Sequence, residues 1–187
     1  ASLGAAVAIS LVGGYLVSRN DSDGPTGSAD DSVVFDIPGE VQDPTIGTNA
    51  AVQGTPLPLV DLEDNDGNTV PVASLLGTPL VLNVWNSTCG PCKRELPAFA
   101  AVHADLGDEI RFVGVNTLDT PEVNESFARE RGVQYELLRD IDGAFTDEVG
   151  VVALPITLFV YENGMILRQT GVLEEDEIRA IAAELYG

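Results

Sequence analysis

Basic side chains are scarce in this chain: nine Lys and Arg stand against 30 Asp and Glu, for a formal charge of −21. Phosphate backbones are bound by Lys and Arg, so this balance argues against a nucleic-acid partner. It also disfavours docking on anionic lipid. The expected surface is an acidic, solubilising one. Histidine is nearly absent, with His103 alone, and there are only two cysteines, Cys89 and Cys92. A structural zinc site takes four ligands. His103 lies three helical turns beyond the cysteines, too far to join them, so no metal is expected. Long apolar runs are missing as well. The uncharged stretch "LGAAVAISLVGGYLV" covers residues 3–17, which at ~1.5 Å per residue falls short of a ~30 Å bilayer core.

What is present divides the chain into three parts. The chain opens on Ala1 rather than Met, and residues 1–18 are expected to be the end of an N-terminal membrane anchor. A signal peptide is the rival, because Gly27, Ser28 and Ala29 are small residues at suitable spacing. Residues 19–50, with "RNDSDGPTGSADDS", form an acidic linker too poor in apolar surface to offset its ordering entropy. Within it "VVFDI" is a candidate short strand. Arg19 is the one basic residue directly beyond the apolar run, so the positive-inside tendency puts the folded part on the non-cytoplasmic side. Residues 51–187 are the expected folded domain.

In that domain strands and helices alternate. "LPLVDLEDNDGNTVPV" reads as a hairpin turning at Asp66-Gly67. "PLVLNVW" is the near-continuous apolar run of a strand buried on both faces, and "IRFVGVNT" is a second. Helices are expected over "CGPCKRELPAFAAVHADLG", kinked at Pro97, and over "TPEVNESFARERG", with Thr120 as N-cap. "VQYELL" is a short strand and "GAFTDEVGV" a short helix. A hairpin around Asn163-Gly164 and an acid-led helix, "EEDEIRAIAAELYG", close the chain. The pattern gives an α/β fold with a mixed sheet flanked by helices.

Both cysteines fall in "WNSTCGPCKRELP". As a mere staple they are poorly placed, since closing so short a loop is worth on the order of 2 kcal/mol in the chain-entropy model. Redox chemistry suits the location better. Cys89 stands where strand becomes helix, facing unpaired N–H groups and the positive end of the helix dipole, which lower a thiol pKa. It is the expected nucleophile. Cys92, one turn on and within disulfide reach, is the expected resolving thiol. Gly90 and Pro91 let the turn begin tightly with φ preset.

The segment "VLNVWNSTCGPCKRELP", followed by "LPIT", resembles the thioredoxin fold, in particular the membrane-tethered TlpA/ResA-type thiol–disulfide oxidoreductases that include the cytochrome c maturation thioredoxins. The resemblance runs from about residue 53 to residue 187. It implies a thioredoxin-fold enzyme with an N-terminal hairpin and a helical insertion, "TPEVNESFARERG", that acts by thiol exchange without a bound cofactor. Its implied partners are proteins with thiols or disulfides and a membrane electron donor, and its implied state is a monomer outside the cytoplasm. Cys89 and Cys92 take the nucleophilic and resolving roles. Pro155 matches the family's cis-proline, which leaves Leu154 backbone groups free to pair with a substrate strand. Trp85, Thr88, Gly90 and Pro91 are the further expected substrate contacts. Glu95 matches an acid that exchanges a proton with the resolving thiol, and its other reading is a solvated helix glutamate. Two departures are visible. Asn83 stands where cytosolic thioredoxin has a buried Asp, and Thr88 stands where Trp is common. The direction of exchange stays open between a reductant and an oxidant of exported proteins, as does a non-catalytic peptide-binding adaptor.

Overall fold

The computed structural model describes residues 48–186. The expected anchor, the linker up to residue 47 and the candidate strand "VVFDI" lie outside them. No helix among the described residues is long and apolar enough to cross a membrane.

The chain enters the sheet through a hairpin, β1 (Asp61–Glu63) and β2 (Thr69–Pro71). There follow β3 (Leu80–Trp85), helix α1 (Gly90–Leu106), β4 (Arg111–Asn116), α2 (Pro121–Arg129), β5 (Glu136–Arg139) and α3 (Ala144–Val149). A second hairpin, β6 (Ile156–Val160) and β7 (Ile166–Thr170), leads to α4 (Glu175–Ala183). The strands make one seven-stranded sheet in the order β2-β1-β5-β4-β3-β6-β7. β3, β4 and β5 run parallel, while β6 lies antiparallel to β3. The mixed sheet is the one expected from the alternation of elements, and it is the thioredoxin-like arrangement that the resemblance implies.

Strand β3 is buried along its whole length. Its residues alternate between faces. Leu80, Leu82 and Val84 pack with Val113, Val115, Leu158 and the α3 residues Phe145 and Val149. Val81 and Trp85 point the other way, towards Leu96, Phe99 and Val102 of α1 and Ile178 and Ile181 of α4. Each such Leu, Val or Ile contributes roughly 1.5–3 kcal/mol on burial, so a central strand apolar on both faces anchors both layers. Asn83 and Thr157 are the polar exceptions, buried opposite one another in the β3–β6 register.

The caps follow the sequence. The Thr120 side chain caps α2, with Pro121 in its first turn. Glu174 and Glu177 form a capping box at α4. Gly164, at φ +85°, supplies the left-handed residue that the β6–β7 turn needs. Helix α1 continues through Pro97, which is exposed. The expected domain border at residue 51 is too late. Asn49 already bonds the backbone at residues 152 and 153, and Ala50 N–H donates to the Gly150 carbonyl at 3.0 Å.

Candidate active site

β3 delivers its C-terminal end to a short loop, residues 86–89, from which α1 starts. Cys89 is the N-cap of α1, with extended backbone. Its sulfur accepts from the Cys92 N–H at 3.1 Å, one of the N–H groups that a helix start leaves unpaired. Cys89 and Cys92 are joined by a disulfide. Cys89 is half-buried, whereas Cys92 is completely buried. Cys89 is thus the more accessible of the two sulfurs, and its neighbours Thr88 and Gly90 are exposed.

The loop is latched to its neighbour. Asp119, just past β4, accepts from the Ser87 N–H at 2.7 Å, the Ser87 hydroxyl at 2.6 Å and the Asn116 amide at 2.7 Å. Asn86 Oδ1 accepts from the Thr88 N–H and hydroxyl. The β4–α2 loop also walls an open cleft of about 290 Å³, lined on its far side by Arg139, Asp140 and Ile141.

Glu95, one turn after Cys92 on the buried face of α1, is only 2% exposed. Its Oε1 accepts from the Asn83 amide at 2.9 Å, and its Oε2 accepts from the Leu173 N–H at 3.3 Å. Asn83 also donates to Thr157 Oγ1 at 3.0 Å. Loss of hydration dominates the electrostatics and pushes the carboxyl up to about 7, against the two hydrogen bonds that favour its charged form. The solvated-surface reading of Glu95 is thus excluded. Tyr135 is fully buried nearby, and burial together with the Glu95 charge raises its hydroxyl pKa. A carboxyl with its pKa raised to about 7 can take up or give back a proton near neutral pH.

On the other side, the Leu154–Pro155 peptide is cis. Ile156 pairs with Val84, which brings the turn before β6 alongside the redox loop. Leu154 packs against the same apolar cluster as Cys89. Pro155 is buried and Leu154 half-buried. Trp85, an expected substrate contact, is fully buried and stacks on Phe127 with centroids 5.4 Å apart, so it offers the surface no area. Cys89, Gly90, Pro91, Glu95, Leu154 and Pro155 are otherwise gathered at one end of the sheet. Thr157, Leu173, Tyr135 and Asp119 were not singled out in the sequence. Thr157 was within reach, since "LPIT" places it two residues after Pro155 on the strand beside Asn83. No group of His, Cys, Asp and Glu suited to a metal ion occurs among the described residues.

A helix-start dithiol on a mixed sheet defines a thioredoxin-fold protein of the disulfide-exchanging class. The AhpC/TSA family model matches residues 53–179. The chain is 28% identical over 134 residues to the thiol-disulfide oxidoreductase ResA of Bacillus subtilis, covering 71% of this chain and 75% of that one. To the thiol:disulfide interchange protein DsbE of Escherichia coli K12 it is 34% identical over 151 residues, covering 76% and 80%. The structure of a secreted Mycobacterium tuberculosis disulfide oxidoreductase homologous to E. coli DsbE superposes with a TM-score of 0.61 at 26% identity, covering 68% of this chain and 96% of that one. The chain belongs to the AhpC/TSA family and is a thiol–disulfide oxidoreductase of the ResA/DsbE type.

Proposed function

We propose that the chain reduces disulfides in exported proteins, apocytochrome c first among them, as a monomer held at the membrane by an N-terminal anchor with its dithiol outside the cytoplasm. One observation carries the chemical part of this reading: a half-buried sulfur at a helix start, backed by a buried sulfur and a buried carboxyl. The family resemblance and the acidic, uncharged-then-polar N-terminal sequence support the rest.

The Cys89 thiolate, favoured by the start of α1, attacks one sulfur of the partner disulfide. The Cys89–partner bond forms as the partner S–S bond breaks, and the departing sulfur takes a proton from solvent. Cys92 passes its proton to Glu95 and attacks the Cys89 sulfur. The Cys89–partner bond breaks, the second partner sulfur leaves as a thiolate and takes a proton from solvent, and Glu95 gives its proton back to solvent. The partner gains two electrons and two protons, and the chain is left as the Cys89–Cys92 disulfide. A membrane electron donor then restores the dithiol, and no bound cofactor takes part. Thr88, Gly90 and Pro91 face the partner, while Leu154 at Pro155 pairs with its backbone as an added strand. Trp85 serves from beneath as the floor of the loop.

The test is trapping. Cys92→Ser should accumulate mixed disulfides through Cys89 with thiol proteins. Trapping confined to Cys89→Ser would reverse the two roles.

A further inference from the structure

The segment ahead of β1 and the loop ahead of β6 are fastened together by one side chain. Asn49 Oδ1 accepts from the N–H groups of Val152 at 2.6 Å and Ala153 at 2.9 Å, and Asn49 Nδ2 donates to the Ala153 carbonyl at 3.0 Å. A single carboxamide thus does for residues 152 and 153 what a neighbouring strand does for a ladder. The adjoining backbone fits the same contact. Ala50 N–H donates to the Gly150 carbonyl, and Gly150 has φ +69°. A Cβ on Gly150 would lie 2.5 Å from that of Ala50. Glycine is needed there both for its backbone conformation and for the close approach. Further along, Val52 N–H donates to Gln169 Oε1 at 2.9 Å, which ties the segment to β7.

The loop held in this way runs straight into Leu154 and Pro155, beside the redox pair. Val152 is 55% exposed and has little packing of its own to fix it. We propose that Asn49 is a positioning residue for the substrate-binding loop: by clamping residues 152 and 153 it keeps the Leu154 backbone ready to pair with an incoming peptide. The inference rests on the reading of Leu154 and Pro155 as the peptide-receiving edge. A loop already ordered spares the complex the entropy of ordering it on binding, so the benefit falls on peptide affinity. Asn49 touches neither sulfur. Exchange with a small disulfide that needs no backbone pairing is left unaffected.

The experiment uses the full chain, reduced beforehand and freed of reductant, in single-turnover exchange with two probes, the half-saturating probe concentration being read as KM and the limiting rate as kcat. One is 5,5′-dithiobis(2-nitrobenzoic acid). The other is a ten-residue peptide carrying a central cysteine as a mixed disulfide with a chromophoric thiol. Asn49→Ala should raise KM for the peptide about tenfold with kcat little changed, and leave kcat/KM for the small disulfide within twofold. Gly150→Ala, which displaces Ala50 while keeping the Asn49 side chain, should give the same split. Equal losses on both probes would make Asn49 a general support of the fold and overturn the proposal. No change on either probe would overturn it too. Pro155→Ala separates the two layers. If it leaves the peptide KM unchanged, the peptide-receiving edge itself is wrong; if it raises that KM while Asn49→Ala does not, only the positioning role falls.

Discussion

Glu95→Gln is expected to make the oxidised protein more stable at alkaline pH and to leave its stability near pH 4 unchanged. The buried carboxyl has its pKa raised from an ordinary 4.5 to about 7 by desolvation. Between those values the native state holds a proton that the unfolded chain has released. Stability then falls as pH rises, by about 1.4 kcal/mol per pH unit, and the total is on the order of 3 kcal/mol once pH passes 7. Below the unfolded value both states are protonated and the cost vanishes. Gln carries no such charge and fits the site. Its oxygen can keep the Leu173 N–H, and its amide can face Asn83 Oδ1, which has no partner in the native arrangement. Urea unfolding of both proteins at pH 4, 7 and 9 gives the comparison. The difference in favour of Gln should open between pH 4.5 and 7 and then level off. A difference that stays constant across the three pH values would refute a neutral-pH titration at Glu95.

In the reduced protein, ionised Glu95 opposes a second negative charge on Cys92, so Glu95→Gln should lower the apparent pKa of a cysteine. Thiolate absorbance titration reads this, and superimposable curves would remove Glu95 from the exchange. Residues 48–187 should fold and exchange thiols without what precedes them, because the described core and the Asn49 clamp lie within that span. Loss of the cooperative unfolding transition in that piece would show that earlier residues complete the core.

The strands and helices were legible because their signals are local. The run "PLVLNVW" had no polar break except Asn83, the second hairpin carried Asn163-Gly164, and Thr120-Pro121 marked a helix start. The redox pair was legible for the same reason, since helix start and spacing lie within four residues. Glu95 was not. Its place three residues after Cys92 fits a surface or a buried position equally. What buries it is the Asn83 and Thr157 pair, brought together across 74 residues by the β3–β6 register, and a backbone N–H at Leu173. Asn49 was hidden more deeply. It sits at the end of a polar, glycine-containing stretch that reads as linker, and its partners are more than 100 residues away. Trp85, expected among the substrate contacts, ends a strand buried on both faces, and the fold turns it inward against Phe127.

The reductant reading depends on the poise of the Cys89–Cys92 pair. The helix start and nearby Lys93 and Arg94 favour the Cys89 thiolate, while the acidic surface and buried Glu95 oppose it. Gly90 and Pro91 place no histidine between the cysteines to stabilise the thiolate further. The expected potential is nearer that of thioredoxin, about −270 mV, than that of the oxidant DsbA, about −120 mV. Equilibrating the pair against glutathione buffers of known ratio, and against dithiothreitol where glutathione is too weak, measures it directly. A value within a few tens of mV of thioredoxin supports a reductant of exported proteins. A value close to that of DsbA, with rapid oxidation of reduced unfolded protein, would contradict it and make the chain a disulfide-forming oxidant.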